Sequence, residues 1–195
     1  MPDKAASGNG QANLLDYRGG LLNHLSLIYR PGERHLAAKL FSAAGCEVHD
    51  RGELYLYISI VPGNRDLTNN VLFAGEATPE QWRFDQELQK ALASDTPMAQ
   101  AYAAFVQRYH RMPARASHFG IRYPSFAKLE QTLENFQTRL DPELKGRVEV
   151  AGVYRPNQSG SFSDRVMQVF LKTDIVATGS LAIGSNIELQ AQAWP

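Results

Sequence analysis

Two phrases in this chain follow one pattern. Asn23–Pro31 reads NHLSLIYRP, and Ser117–Pro124 reads SHFGIRYP. In each, a polar residue precedes a histidine, followed by an apolar, a small and a second apolar residue. A tyrosine comes after one more position, and a proline follows within two. The copies lie about ninety residues apart in a chain that holds only five histidines. A duplication of this kind predicts a fold made of two similar halves.

The residues around each phrase extend the duplication. Leu22–Tyr29 alternates as a strand does, with Leu22, His24, Ser26 and Ile28 on one face and Leu25, Leu27 and Tyr29 on the other. Pro31-Gly32 breaks it. Arg34–Ala44 carries Leu36, Ala37, Leu40 and Ala44 at helical spacing, and Gly45 is a natural stop. Strands are expected at Cys46–His49, Leu54–Val61 and Val71–Ala77. The second half repeats this order. Ser117–Tyr123 is a strand with His118, Gly120 and Arg122 on one face, and Ser125 is an N-cap. Phe126, Leu129, Leu133, Phe136 and Leu140 form a helical stripe, followed by strands at Arg147–Tyr154, Val166–Thr173 and Asn186–Ala191.

Between the halves, Thr78-Pro79 and Asp95-Thr96-Pro97 are two helix-start signals. They predict helices over Pro79–Ala93 and Pro97–Arg111, the second with an apolar stripe of Met98, Tyr102, Phe105, Val106 and Tyr109. The fold class read from the chain is therefore α+β. It has a flexible tail at 1–20, a βαβββ module at 21–77, a helical insertion at 78–115 and a second βαβββ module at 116–195, in one compact domain.

Twenty basic residues balance twenty acidic ones, so neither nucleic acid nor an anionic membrane is expected as a partner. No stretch approaches the ~18 consecutive apolar residues of a membrane span. The first residues, MPDKAASGNGQAN, lack the apolar region of a signal peptide. Cys46 is the sole cysteine, which suits a cytoplasmic location and a buried, small, unreactive role.

Paired βαβββ modules, a histidine in the first strand of each and a glutamate in the closing strand resemble the vicinal oxygen chelate superfamily. That group includes glyoxalase I, extradiol dioxygenases, methylmalonyl-CoA epimerase and the fosfomycin and bleomycin resistance proteins. The resemblance covers Leu21–Gln192 apart from the insertion. It implies two modules curled into a curved mixed-sheet cup, with metal ligands pointing inward from the first and fourth strands. Carried over by position, His24 and His118 take the first-strand sites and Glu188, in GSNIELQ, the last-strand site. Glu76 takes the fourth-strand site of the first module, on the face of Leu72 and Ala74, where small Ala74 would leave room.

A histidine between apolar strand neighbours is most often simply packed and hydrogen-bonded; matched positions in a repeat favour a ligand role. Two histidines and one carboxylate leave coordination positions open and suit Fe(II). A fourth ligand, Glu76, suits a Ni, Mn, Zn or Co ion acting as a Lewis acid. The expected function is a metal-dependent enzyme of glyoxalase type, acting on a small molecule with two neighbouring oxygens. It would use one divalent ion, with isomerase or lyase chemistry and Glu76 and Glu188 as catalytic carboxylates. The alternatives are a ring-cleaving dioxygenase using Fe(II) and O2, and a non-catalytic binding protein like the bleomycin-resistance members. Arg122 is the expected clamp for a substrate anion. Tyr55 and Tyr57 lie on a strand whose register the sequence leaves open, and His110 reads as a charge at a helix end. The insertion's stripe, with Met98, Tyr102, Phe105 and Tyr109, suggests a homodimer.

Overall fold

The structure is a computed structural model and describes residues 22–64, 67 and 69–193; the tail expected at 1–20 lies outside them. The chain runs β1 (His24–Tyr29), α1 (Arg34–Ala43), β2 (Glu47–His49), β3 (Tyr55–Ser59) and β4 (Val71–Glu76) through the first module. The insertion forms α2 (Pro79–Leu92) and α3 (Pro97–Arg111). The second module is β5 (His118–Tyr123), α4 (Phe126–Thr138), β6 (Val148–Tyr154), β7 (Val166–Thr173), β8 (Val176–Ala177) and β9 (Ser185–Gln192). The expected strand–helix–three-strand order is present in both halves, and β8 is a two-residue addition.

The helix starts follow the local chemistry. The Thr78, Thr96 and Ser125 hydroxyls accept from the backbone N–H of Gln81, Ala99 and Lys128, each at 3.2 Å, satisfying donors the first turn leaves free. Pro79 and Pro97 occupy first-turn positions, where a missing N–H costs nothing.

Each module closes by pairing its first strand parallel to its last. β1 runs beside β4, with His24 opposite Val71 and Tyr29 opposite Glu76. β5 runs beside β9, with His118 opposite Asn186 and Gly120 opposite Glu188. The sheets are mixed, in the orders β2-β3-β4-β1-β8 and β5-β9-β7-β6. They stay separate within the chain. β8 of the second module instead pairs antiparallel with the end of β1, at Ile28 and Tyr29.

One core unites the halves. Leu27, Tyr29, Leu72 and Ala74 from the first sheet, and Ile121, Val169, Leu171 and Leu189 from the second, are buried with Leu40 and Phe41 of α1 and Leu129 and Leu133 of α4. The Tyr123 hydroxyl, whose ionisation burial opposes, donates to the Ala44 carbonyl at the end of α1. Around this core Arg147 joins Asp174 at 2.7 Å and Glu33 at 2.8 Å, and Arg30 joins Asp174 at 2.6 Å. Half-buried pairs of this kind fix orientation more than they stabilise. Because strand side chains alternate, each sheet turns its other face away from the core. Among the described residues, no helix is long and apolar enough to cross a membrane.

The insertion is anchored by a buried charge. Asp85 of α2 is fully buried and accepts from Ser180 Oγ at 2.5 Å, Gln81 Nε2 at 3.0 Å and the Ala182 N–H at 3.3 Å. Burial pushes its carboxyl up, but the hydrogen bonds from Ser180, Gln81, Ala182 and Leu181 together outweigh burial and hold it below the usual range. A lowered folded pKa contributes stability above the unfolded value of ~3.9, and that stability is lost as pH falls through the folded pKa. Asp85→Ala should cost about 1.5–3 kcal/mol at pH 7. The gap to the unsubstituted protein should narrow below about pH 4. Urea denaturation at neutral and acid pH checks this, and a gap independent of pH contradicts it.

Candidate functional site

The outer face of the second sheet gathers the polar side chains. His118 and Gly120 on β5, Asn186 and Glu188 on β9, and Gln168, Phe170 and Lys172 on β7 share it by register. His118 Nε2 lies 3.1 Å from Glu188 Oε2, and the other carboxylate oxygen accepts from Gln168 Nε2 at 2.8 Å. Glu188 is 7% exposed and Gln168 8%, so this carboxylate sits in the sheet surface rather than in free solvent. Phe170 meets the His118 ring edge to face at 5.4 Å, and Tyr154 flanks Phe170 at 5.8 Å. Gly120 keeps the approach open, since a Cβ there would lie 3.8 Å from Glu188 Oε2.

The state of His118 follows from its other nitrogen. Nδ1 lies 2.8 Å from the Ala116 carbonyl oxygen, which can only accept, so Nδ1 carries a proton. Nε2 then points toward an acceptor oxygen of Glu188. An imidazole lone pair and a carboxylate oxygen at 3.1 Å repel unless a cation lies between them, either a proton or a metal ion. Donating the far N–H to a carbonyl is also how metal-bound imidazoles are held in orientation. Two ligand atoms ~2.1 Å from an ion, at ordinary bond angles, are themselves about 3.0–3.4 Å apart. His118 and Glu188 therefore fit as two donors to a divalent ion.

The first module is built differently. His24, Ser26, Tyr55, Tyr57 and Phe73 share its outer face, which sets the register of the two tyrosines. The position equivalent to Glu188 is held by Phe73: it lies opposite Ser26, two residues past His24, as Glu188 lies opposite Gly120, two past His118. Phe73 packs against His24 at 5.0 Å, Tyr57 at 5.4 Å and Tyr55 at 6.0 Å. His24 is exposed, and its Nδ1 meets the Asn23 side chain at 2.6 Å.

Glu76, expected in the same ligand set, lies apart from this group. It shares a strand face with Leu72 and Ala74, as the alternation indicates, but Leu72 and Ala74 are buried in the core. Glu76 lies beyond them at the far end of β4, five positions from the residue opposite His24, or roughly 17 Å along the strand. There its carboxylate accepts from the Gly32 N–H at 3.0 Å, across the turn after β1. Among the described residues, no three His, Cys, Asp or Glu side chains converge as a metal would require. The structure brings His118 and Glu188 together, and neither His24 nor Glu76 reaches them. Arg122 lies on the same face of β5, opposite Gln190 and four positions beyond His118.

Sequence reasoning missed Gln168 and Lys172. Both sit in VMQVFLKT, where Gln168, Phe170 and Lys172 alternate with apolar neighbours, and that alternation was the available signal. His110 was read as a helix-end charge; it also contacts Lys172 Nζ at 3.2 Å.

No family model and no curated protein matches the chain. Solved structures similar to it include a protein from Bacillus anthracis assigned to the glyoxalase family, with 11% identity, 91% of this chain and 98% of that one covered, and a TM-score of 0.44. A hypothetical protein from S. aureus shows 8% identity, 89% and 95% coverage and a TM-score of 0.42. At these values the likenesses carry no argument about activity, and the two-module reading stands on the strand pairing itself.

Proposed function

We propose that the chain is a metal-dependent enzyme of glyoxalase type, acting on a small molecule with two neighbouring oxygens, with His118 and Glu188 at its centre. The observation that supports this most is the 3.1 Å approach of His118 Nε2 to Glu188 Oε2, with Nδ1 committed to a carbonyl. A divalent ion held there would supply Lewis-acid stabilisation of negative charge developing on a substrate oxygen. Gln168 holds Glu188 Oε1, and Oε2, the oxygen that would hold the ion, would leave it to take a proton from a carbon beside a substrate carbonyl and return that proton to the neighbouring carbon. Gly120 leaves space for that carbon, and Phe170 and Tyr154 shield one side from water. Without Glu76, the isomerase or lyase reading rests on Glu188 alone.

The remaining donor is proposed to come from a second copy. β5 is an edge strand, and β1 is paired by β8 only at Ile28 and Tyr29, so its His24 end is open among the described residues. Open strand edges pair readily. Joining β1 of one copy to β5 of another would set an exposed His24 beside His118 and Glu188. We therefore propose a homodimer with two shared sites. A second reading, a non-catalytic binding protein, is favoured by the lack of a three-donor cluster among the described residues. There, a proton would hold His118 to Glu188.

Elemental analysis after loading with Mn(II) or Zn(II) separates these readings. One ion per chain is expected, and His118→Ala and Glu188→Ala should each weaken binding beyond the ~10–100-fold typical of losing a supporting contact. Glu76→Ala should bind normally. Full occupancy in His118→Ala would overturn the site. For the shared site, mixing unfolded His24→Ala and His118→Ala chains and refolding them together should restore part of the metal binding that each lacks. No restoration, or a monomer by light scattering, would reject the dimer.

A further inference from the structure

The stripe on α3 walls a cavity. Tyr102, Phe105 and Tyr109 close one side of a space of ≈ 200 Å³, and Lys172, Asn186 and Ser180 lie among the residues opposite. The helix is held there through α2, whose Asp85 binds Ser180 and Ala182 in the loop before β9. Tyr102 Oη also donates to the Ala182 carbonyl at 3.4 Å. Gly184 completes the wall with a positive φ of 76°, where a Cβ would come within 2.4 Å of the Thr173 carbonyl oxygen, so no other residue fits.

Lys172 is the cation lining this space, and Glu149, directly across from it on β6, stands outside the lining, exposed and facing His110. Lys172 Nζ donates to His110 Nε2 at 3.2 Å, and His110 Nδ1 faces Glu149 at 3.7 Å. Among the described residues no carboxylate forms an ion pair with Lys172, so the ammonium rests against a neutral acceptor inside a partly aromatic cavity. Phe105 stands edge-on to Tyr109 at 4.2 Å, giving a ring-sized apolar wall beside that charge. A cavity of about 150 Å³ accepts benzene, so this one admits a single aromatic ring with a small substituent.

Its place relative to the reactive pair is set by register. Lys172, Asn186 and His118 stand opposite one another across β7, β9 and β5, and Phe170, Glu188 and Gly120 form the next row on the same face. Lys172 is thus one strand and one row from Glu188, about 8 Å between backbone positions. A ring-sized molecule anchored at Lys172 spans that distance.

We propose that this cavity is the recognition site for an aryl carboxylate, with its carboxylate on Lys172 and its ring against Phe105, Tyr102 and Tyr109. This deepens, and rests on, the reading of His118 and Glu188 as the reactive centre, toward which the far side of the ring would point. Calorimetry on the full chain with benzoate, neutral benzyl alcohol and acetate tests it. Benzoate should bind and acetate should not. Lys172→Met should weaken benzoate by roughly tenfold or more. It should leave benzyl alcohol unchanged, and Lys172→Arg should retain benzoate and so report an intact fold. Phe105→Ala, at a position already 44% exposed, should weaken benzoate and benzyl alcohol alike. His118→Ala should still bind benzoate, so failure of the metal reading and failure of the cavity give different results. No benzoate binding, equal binding by Lys172→Met, or loss confined to His118→Ala would overturn the proposal.

Discussion

Leu27, Leu72 and Ala74 in the first sheet and Ile121, Val169 and Leu189 in the second pack into one core with the two module helices, and that shared burial decides which faces are left for chemistry. A strand has only two faces, so every residue in phase with these six is committed to the interior or its margin. His24, His118 and Glu188 are out of phase and face outward. Glu76 is in phase, and its carboxylate ends up tying the turn after β1 instead of approaching a site. A slip of one residue in either sheet would exchange these roles wholesale, which is why the register is strongly specified.

The halves have diverged on that common plan. In the second, the row after the histidine holds Glu188, and Gln168 braces it from the neighbouring strand. In the first, the same place holds Phe73, and Tyr57 stands where the second half has Phe170. One outer face is a polar device with a charge to balance. Its counterpart is an aromatic surface with one histidine. In the proposed dimer the polar half would supply two donors, His118 and Glu188, and the aromatic half a third, His24.

The element order was legible because its signals are local: alternation in β1 and β5, the stripe of α4, and Thr-Pro starts for α2 and α3. The nearness of His118 and Glu188 was expected from the family resemblance, which assigns ligands to the first and last strands; the repeat alone does not give it, since the first module holds Phe73 at the place of Glu188. Glu76 was not, because alternation tells which residues share a face but not which face is buried. Small Ala74 suggested room for a site, whereas its size suits close packing in the core. β8 is too short to leave a periodic signal, and its pairing with β1 is set by the fold around it. Gln168 and Lys172 stood out only by their alternation in a strand whose other residues are almost all buried and apolar, a signal that tells their face but not their role. The stripe on α3 was visible, but its partner was not: whether such a stripe meets a sheet, a ligand or another chain depends on the docking of α2 through Asp85.

His118 Nδ1 is held by the Ala116 carbonyl, and Nε2 with its lone pair lies beside Glu188, where the proposed function has it meet a cation. Long-range 1H–15N spectra of protein labelled at histidine nitrogen test this atom by atom. In the free protein Nδ1 of His118 should be protonated, and one equivalent of Zn(II) should move the Nε2 resonance of His118 while Nδ1 keeps its proton. A His118 that carries its only proton on Nε2 and whose resonances do not respond to the metal would contradict the account.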